Sequence, residues 1–465
     1  MHSPAEFSDA LLERYDRPGP RYTSYPTAPH FRSDFSRADL QAQAALSNAR
    51  QPARPLSLYV HVPYCQSPCF YCGCTRVITR DLSRGDAYVQ RLLREARQVA
   101  PLMAPEREVV QLHLGGGTPN FLQPAALQAL LAGLAQVFRL SQGAERDFSI
   151  ELDPRTVPQA AEHYAGQLAS LGFNRVSIGV QDFDPEVQRA VNRVQSAAQT
   201  LELIAACRTH GFRSVNVDLI YGLPRQTLAG FLATLRAVTA ARPDRIAIYG
   251  YAHLPEAFKA QRRIQAAELP DAKSRIALLR LAIEELGAAG YHYVGMDHFA
   301  LPEDELVRAQ ARGTLQRNFM GYTTHAGCDL LGLGASAISS IGHSYSQNLR
   351  ELRAWERAID TGASPLWRGL LLSEDDRLRA TVIGQLMCHG RIELPPIEAA
   401  FGIRFWEYFA AARGPLERQA ADGLLTSNAH EIATTAAGRL LLRHVAACFD
   451  RYLPQAPSRV MSRVI

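Results

Sequence analysis

The sequence predicts an α/β fold in which parallel strands are covered by helices, and three observations carry that reading. Short β-branched or aromatic runs recur along the first half of the chain, and stretches with apolar residues at helical spacing lie between them. Most side chains of chemical interest follow the C-terminal end of one of those runs. Doubly wound sheets and barrels both place their ligands there.

Six runs are expected as strands: "LSLYVHV" ending at Val62, "EVVQLHL" (108–114), "DFSIELD" (147–153), "NRVSIGV" (174–180), "RSVNVDL" (213–219) and "DRIAIYGY" (244–251). The helical stretches between them show apolar residues on one face, as in Val89, Leu92, Leu93, Ala96 and Val99, or Leu127, Leu130, Leu134 and Val137, or Leu228, Phe231, Leu235 and Val238. Asp184-Pro185 reads as an N-cap followed by proline in a first turn, and Gly211 as a C-terminal stop. The segment "RPGPRYTSYPTAPHF", too rich in Pro, Ser and Thr for a helix, is expected as an ordered arm lying across the main domain. From about residue 370 the texture turns helical, with "GLLTSNAHEIATT" (423–435) as a small hairpin before a last helix. That winged-helix shape carries no basic recognition stripe, so a packing role is expected for it rather than DNA binding. The expected division is an arm over 1–55, the α/β domain over 56–365 and the helical, winged-helix-like domain over 366–465.

Composition narrows the classes. With 465 residues, 47 % of them hydrophobic, the chain can bury a sizeable core. The net charge of +5 reflects an arginine-rich chain in which Lys259 and Lys273 are the only lysines, so it is weak evidence for nucleic acid. No segment has the roughly 18 to 20 apolar residues that span a bilayer. A cytoplasmic protein is expected, with neither nucleic acid nor membrane as partner, and in that reducing compartment clustered cysteines read as a metal or redox centre. Cys207, Cys328, Cys388 and Cys448 are scattered singly and read as structural thiols.

The cluster is "YVHVPYCQSPCFYCGCTR" (59–76). Cys65, Cys69 and Cys72 are spaced C-x3-C-x2-C directly after the first strand, with Pro63, Pro68 and Gly73 keeping the segment a loop. Four thiolates on one ion would make a closed, structural zinc site. In an extended loop Cys72 and Cys74 would face opposite sides, which favours three thiolates on an iron–sulfur cluster with one iron open to a ligand. Cys74 is then expected to serve turnover instead. "GGGTP" (115–119) closes the second strand at the same end and lets backbone approach a ligand closely. Glu151, Gln181, Asp218 and the pair Tyr251-Ala252 mark the ends of later strands, with Arg193 after the fourth. Polar groups at successive strand ends suit a ligand shell.

The cysteine spacing and glycine run resemble the radical S-adenosylmethionine superfamily. The set "GPRYTSYPTA", "CFYCGC", "HLGGGTPNFL", "IELDPR", "GFNRVSIGVQDF", "AVNRVQ", "NVDLIYGLP", "YAHLP", "GMDHFA", "GYTTH" and the terminal "SRVI" resembles more narrowly its oxygen-independent coproporphyrinogen III oxidases, over nearly the whole chain. Leu114 departs from the aromatic residue that many members carry there. The resemblance implies a partial (β/α)6 barrel with a helical C-terminal domain. It implies oxidative decarboxylation of the ring A and B propionates of coproporphyrinogen III to vinyl groups, giving protoporphyrinogen IX in haem synthesis, through a 5′-deoxyadenosyl radical. A haem chaperone-like paralogue is the alternative.

The implied cofactors are a [4Fe–4S] cluster on Cys65, Cys69 and Cys72 and two molecules of S-adenosylmethionine. Tyr59, Tyr71, Gly116, Glu151 and Ile338 would hold the first, and Gly117, Thr118, Gln181, Arg193, Asp218 and Ala252 the second. Cys74 and Tyr59 are the expected catalytic residues. The implied partners are coproporphyrinogen III and a reducing electron donor such as flavodoxin or ferredoxin, and a monomer is expected. Arg21, Arg262 and Arg263 are candidate cations for the substrate's propionates.

Overall fold

All six expected strands form in the computed structural model, which describes residues 11, 14, 15, 17, 19–157 and 160–453. They are β1 (Leu56–Val62), β2 (Glu108–Gly116), β3 (Asp147–Leu152), β4 (Arg175–Gln181), β5 (Ser214–Tyr221) and β6 (Arg245–Gly250). Each pairs in parallel with the next. Helices α1 (Arg37–Asn48), α2 (Ser83–Val99), α3 (Pro124–Ala135), α4 (Ala161–Ser170), α5 (Ala197–Thr209), α6 (Leu228–Ala240) and α7 (Ala272–Ala288) cover one face. Asp184 caps the short helix Pro185–Ala190 by accepting from the Glu186 N–H, as its sequence suggested.

The sheet runs further than six strands. Asp329–Leu333 pairs in parallel with the free side of β1. An antiparallel meander of Ile338–Ile341, Ser344–Asn348 and Leu366–Leu371 follows it. At the other edge His298–Ala300 pairs antiparallel with β6, and His292–Gly295 pairs antiparallel with it in turn. The curved sheet stays open, so the barrel is partial.

Strand alternation divides the residues. Leu112, Leu114, Ile150, Leu152, Ile178, Val217, Leu219 and Ile248 are essentially inaccessible and belong to the main apolar cluster, together with α2, α3 and α5. The intervening positions, Gln111, His113, Ser149, Glu151, Ser177, Asn216, Asp218 and Tyr249, share a polar lumen of about 180 Å³. Such a face forms no apolar core and leaves room for ligands.

The C-terminal region packs Glu374–His389, Leu394–Phe401 and Ala410–Ala421 around a three-stranded sheet of Arg391–Glu393, Leu425–Ser427 and Glu431–Thr434, which includes the expected hairpin. Because Leu366–Leu371 pairs with Ser344–Asn348, the main sheet continues past the expected boundary at 365. The arm touches both regions. Tyr22 and Tyr25, 5 % and 3 % exposed, join the apolar cluster of the C-terminal region. The Tyr22 hydroxyl donates to Asp450 at 3.0 Å, and the Arg451 N–H donates to the Tyr25 hydroxyl at 3.1 Å. The motif "SRVI" lies outside the described residues. No helix among the described residues is long and apolar enough to cross a membrane.

Candidate active site

Directly after β1 the cysteine loop is fastened from three sides. The Phe70 N–H donates to the Val191 carbonyl at 2.9 Å, and the Gln261 side chain donates to the Tyr71 carbonyl at 2.9 Å. The Arg76 guanidinium bonds the carbonyls of Cys72 (2.9 Å), Cys69 (3.2 Å) and Cys74 (3.3 Å). All four loop thiols are free. Cys65, Cys69 and Cys72 each accept a hydrogen bond at sulfur: from the Thr118 hydroxyl (3.3 Å), from Arg155 (3.3 Å) and Arg193 (3.5 Å), and from the Cys74 N–H (3.4 Å) respectively.

The expectation that Cys72 and Cys74 face opposite sides is corrected. The chain bends at Cys74 after Gly73 instead of running extended, and both side chains line one cavity. The Cys74 thiol hydrogen-bonds Cys72, which holds Cys72 down at about 6 and pushes Cys74 up. Burial pushes Cys65 up to about 11.

The glycine run forms the opposite wall. A Cβ at Gly117 would lie 2.9 Å from the backbone of Val62, Pro63 and Tyr64, and Gly116 has φ +113° with His61 in the space a side chain would need. This close fit leaves the Gly116 N–H free to donate to Glu151 at 3.1 Å. His113 meets the other Glu151 oxygen at 3.2 Å. Burial acts to raise the Glu151 carboxyl, but His113 and the Gly116 N–H outweigh it and hold the group below its ordinary value.

Gln181 ends β4 with φ 68°, a left-handed conformation that costs a non-glycine residue energy and recurs at binding sites. Asp218 accepts from Ser177 and Asn216 at 2.8 and 2.9 Å, yet burial pushes it up to about 6. Arg193 is buried and donates to Asp153 at 3.1 Å and to the Gly179 carbonyl at 2.7 Å, while its Nε has no partner. Arg155 also grips Asp153, at 2.6 Å.

One cavity of about 170 Å³ therefore gathers Cys65, Cys69, Tyr71, Cys72, Cys74, Gly116, Gly117, Thr118, Glu151, Gln181, Arg193 and Asp218. Tyr59, Ala252 and Ile338 are not in its lining. Tyr59 stacks on His113 at 5.9 Å and bonds His61 at 3.0 Å, one residue removed from Glu151. The Ala252 carbonyl accepts from Gln261, which also holds Tyr71. Ile338 lies behind Gly332, the register partner of Tyr59. Three charged lining residues were missed by the sequence reading: Arg76, Asp153 and Arg155. The last two stand in the quoted "IELDPR", and that motif was their only signal. His61, which bonds both Tyr59 and the Thr75 carbonyl, gave none.

The donor set fits an iron–sulfur cluster. Hydrogen bonds to sulfur stabilise thiolates and tune cluster potential, and all three expected ligands receive them. Among the described residues no three His, Cys, Asp or Glu side chains are arranged for a single metal ion. Beside the thiols, one carboxylate held ionised, one raised acid, an arginine with a spare donor and exposed glycine backbone offer hydrogen-bonding groups to an amino acid and a ribose.

The chain matches the Radical SAM superfamily over residues 59–238 and the HemN C-terminal domain over 372–441. It is 50 % identical to the oxygen-independent coproporphyrinogen III oxidase of Pseudomonas aeruginosa, covering 98 % of each chain, and 46 % identical to that of Escherichia coli, again covering 98 % of each. The solved structure of coproporphyrinogen III oxidase (HemN) from Escherichia coli, a radical SAM enzyme, superposes with a TM-score of 0.91 at 43 % identity, over 97 % of this chain and all of the other.

Proposed function

The chain belongs to the oxygen-independent coproporphyrinogen III oxidase family of radical S-adenosylmethionine enzymes, and on that premise we propose that it converts the ring A and B propionates of coproporphyrinogen III to vinyl groups, yielding protoporphyrinogen IX for haem synthesis. Cys65, Cys69 and Cys72 hold the cluster. When bound, the cluster and S-adenosylmethionine would supply the one-electron chemistry that removes a hydrogen atom from a propionate β-carbon; the substrate would then lose carbon dioxide and pass one electron to an acceptor. A one-electron carrier such as flavodoxin or ferredoxin is the matching donor.

The protein's own work is positioning and exclusion of water. Glu151, kept ionised, receives a cationic amino group or ribose hydroxyls beside Gly116, Tyr59, Tyr71 and Ile338. Gly117, Thr118, Gln181, Arg193, Asp218 and Ala252 form the place for a second S-adenosylmethionine, where the spare Arg193 Nε offers a donor to its carboxylate. Cys74 already serves as donor to the Cys72 sulfur, and it stays outside the ligand set as a turnover residue.

The observation that carries this reading is the gathering of three sulfurs, each with its own donor, in the cavity that contains Glu151 and the glycine wall. The test is an anaerobic assay of the reconstituted protein with coproporphyrinogen III, S-adenosylmethionine and a reductant. Two molecules of carbon dioxide per protoporphyrinogen formed are expected. Porphyrin binding with no decarboxylation would point to the chaperone-like alternative.

A further inference from the structure

On the far side of the lumen from the thiols, the arm, the sheet edge and the C-terminal region bring three arginines together. Arg21 sits 5.8 Å over the ring of Tyr249, and Arg317 sits 5.7 Å over the ring of Tyr322. Both rings line the lumen, as does His298 between them, 6.1 Å from Tyr249 and 5.3 Å from Tyr322. Arg317 donates to the carbonyls of Arg21 and Tyr22 at 2.9 and 2.7 Å. Arg443 donates to the carbonyls of Pro20 and Gly19.

Acids match Arg21 and Arg317 unequally among the described residues. Arg21 pairs with Asp297, whereas Arg317 has no ion pair among the described residues, and its Nε is buried without a partner. Burial and the neighbouring Arg21 push Arg443 down to about 9. His298 is pushed down to about 3 by burial, Arg317 and Arg21, so it stays neutral and its buried Nδ1 also lacks a partner. Asp450 accepts from Tyr22. Arg245 is already matched by Asp304 and Glu305. Like charges gathered away from water are costly unless an anion joins them. The Arg21 side chain nevertheless remains 34 % exposed, open to such an anion. By contrast Arg262 and Arg263 are exposed on the surface, with Arg262 bonded to the Pro255 carbonyl and Arg263 over Phe70.

We propose that Arg21 and Arg317 form a carboxylate subsite that anchors a non-reacting propionate of the substrate, with Asp297 occupying Arg21 until the substrate arrives. The assignment rests on the reading of the enzyme as a coproporphyrinogen III oxidase. The lumen of about 180 Å³ admits a propionate arm but not a tetrapyrrole, so the macrocycle lies across the open edge of the barrel. That places the anchored carboxylate at the Tyr249 and Tyr322 side while the reacting arm points toward Glu151 and Asp218. Anchoring one carboxylate selects which propionate meets the radical.

The test begins with anaerobic turnover of the wild type; absence of conversion there refutes the enzyme reading, not the subsite. Given turnover, Arg317→Leu and Arg21→Leu are expected to raise KM for coproporphyrinogen III about tenfold or more, with a smaller change in kcat, as loss of a charge-assisted contact does. Reductive cleavage of S-adenosylmethionine without substrate should persist. Wild type should bind coproporphyrin III about tenfold or more tighter than its tetramethyl ester, a preference the leucine variants lose and Arg317→Lys partly restores. Asp297→Asn removes only the competitor and should leave KM unchanged or lower. Unchanged KM in folded Arg317→Leu, equal binding of acid and ester by the wild type, or a KM rise in Asp297→Asn matching that of Arg21→Leu would each overturn the proposal. The last would make the cluster a clip for the arm.

Discussion

The two ends of the same strands have opposite characters. At the N-terminal floor the charges that open β3, β4 and β6 close on charged partners. Arg175 at the start of β4 grips Asp147 at 2.5 Å and also Glu305, and Arg245 at the start of β6 grips Asp304 at 2.8 Å and Glu305 at 3.0 Å. At the C-terminal end the groups face a cavity with capacity to spare: free thiols, a raised aspartic acid, an arginine with an idle donor and a glutamine held at positive φ. Saturated polar networks fix a structure, whereas unsaturated ones bind ligands. One sheet therefore provides its own foundation at one end and its chemistry at the other.

Substitutions at the two ends should fail in different ways. The largest effect is expected from Cys69→Ser, which should lower bound iron and abolish S-adenosylmethionine cleavage while the melting temperature of the apo protein hardly moves; iron retained at the wild-type level sinks the ligand assignment. Arg193→Leu tests whether a cavity residue belongs to the floor class. Loss of a charge-assisted contact should weaken the proposed second S-adenosylmethionine by about tenfold or more, so that binding falls from the two equivalents proposed toward one. Two equivalents retained with a lowered melting temperature would make Arg193 a structural partner of Asp153. At the floor, Arg245→Met leaves Asp304 buried without its partner and should cost about 3–5 kcal/mol of stability with iron loading unchanged per folded molecule.

The smallest effect concerns pH. Burial raises Asp218 from the ordinary 3.8 to about 6, so this group's effect on stability is fully favourable below 3.8 and is lost as pH rises to about 6. Asp147 behaves oppositely: burial acts to raise it, but His325 and Arg175 outweigh that and lower it. Its contribution is present above 3.8 and is lost as pH falls through the lowered value. Asp218→Asn should remove the first trend, a gain near neutral pH of up to about 3 kcal/mol, less where solvent reaches the group. Urea titrations of the apo protein at pH 4 and pH 7 measure it, and an unaltered pH trend in the variant refutes the raised acid.

The strands at the heart of the fold were legible because each is a compact β-branched run bounded by turn residues, and the helices because their apolar faces repeat. Strand-end residues such as Glu151, Gln181 and Asp218 were legible for the same reason, since a strand's end is visible once the strand is. The stretch from Asp329 to Asn348 was not: its glycines and serines mask three short strands whose outer pairing only the long-range partners β1 and Leu366–Leu371 create. Charges opening a strand, like Arg175 and Arg245, look solvated in sequence, and their acids lie far along the chain. The Cys72–Cys74 geometry was misjudged because local alternation holds only in extended backbone, and the loop bends.

The seating of Tyr22 and Tyr25 in the C-terminal region sets an order of assembly. During synthesis these residues emerge long before their resting place, which includes Asp450 and Arg451, more than four hundred positions later. The barrel can form as its strands appear, since each pairs with its successor, but the arm must wait for the C-terminal region to be made. Arg21 is carried on that arm, so the wall it contributes is installed only once Asp450 and Arg451 have been made. A polypeptide truncated near its C-terminus would thus keep its cysteine loop and lose its entrance.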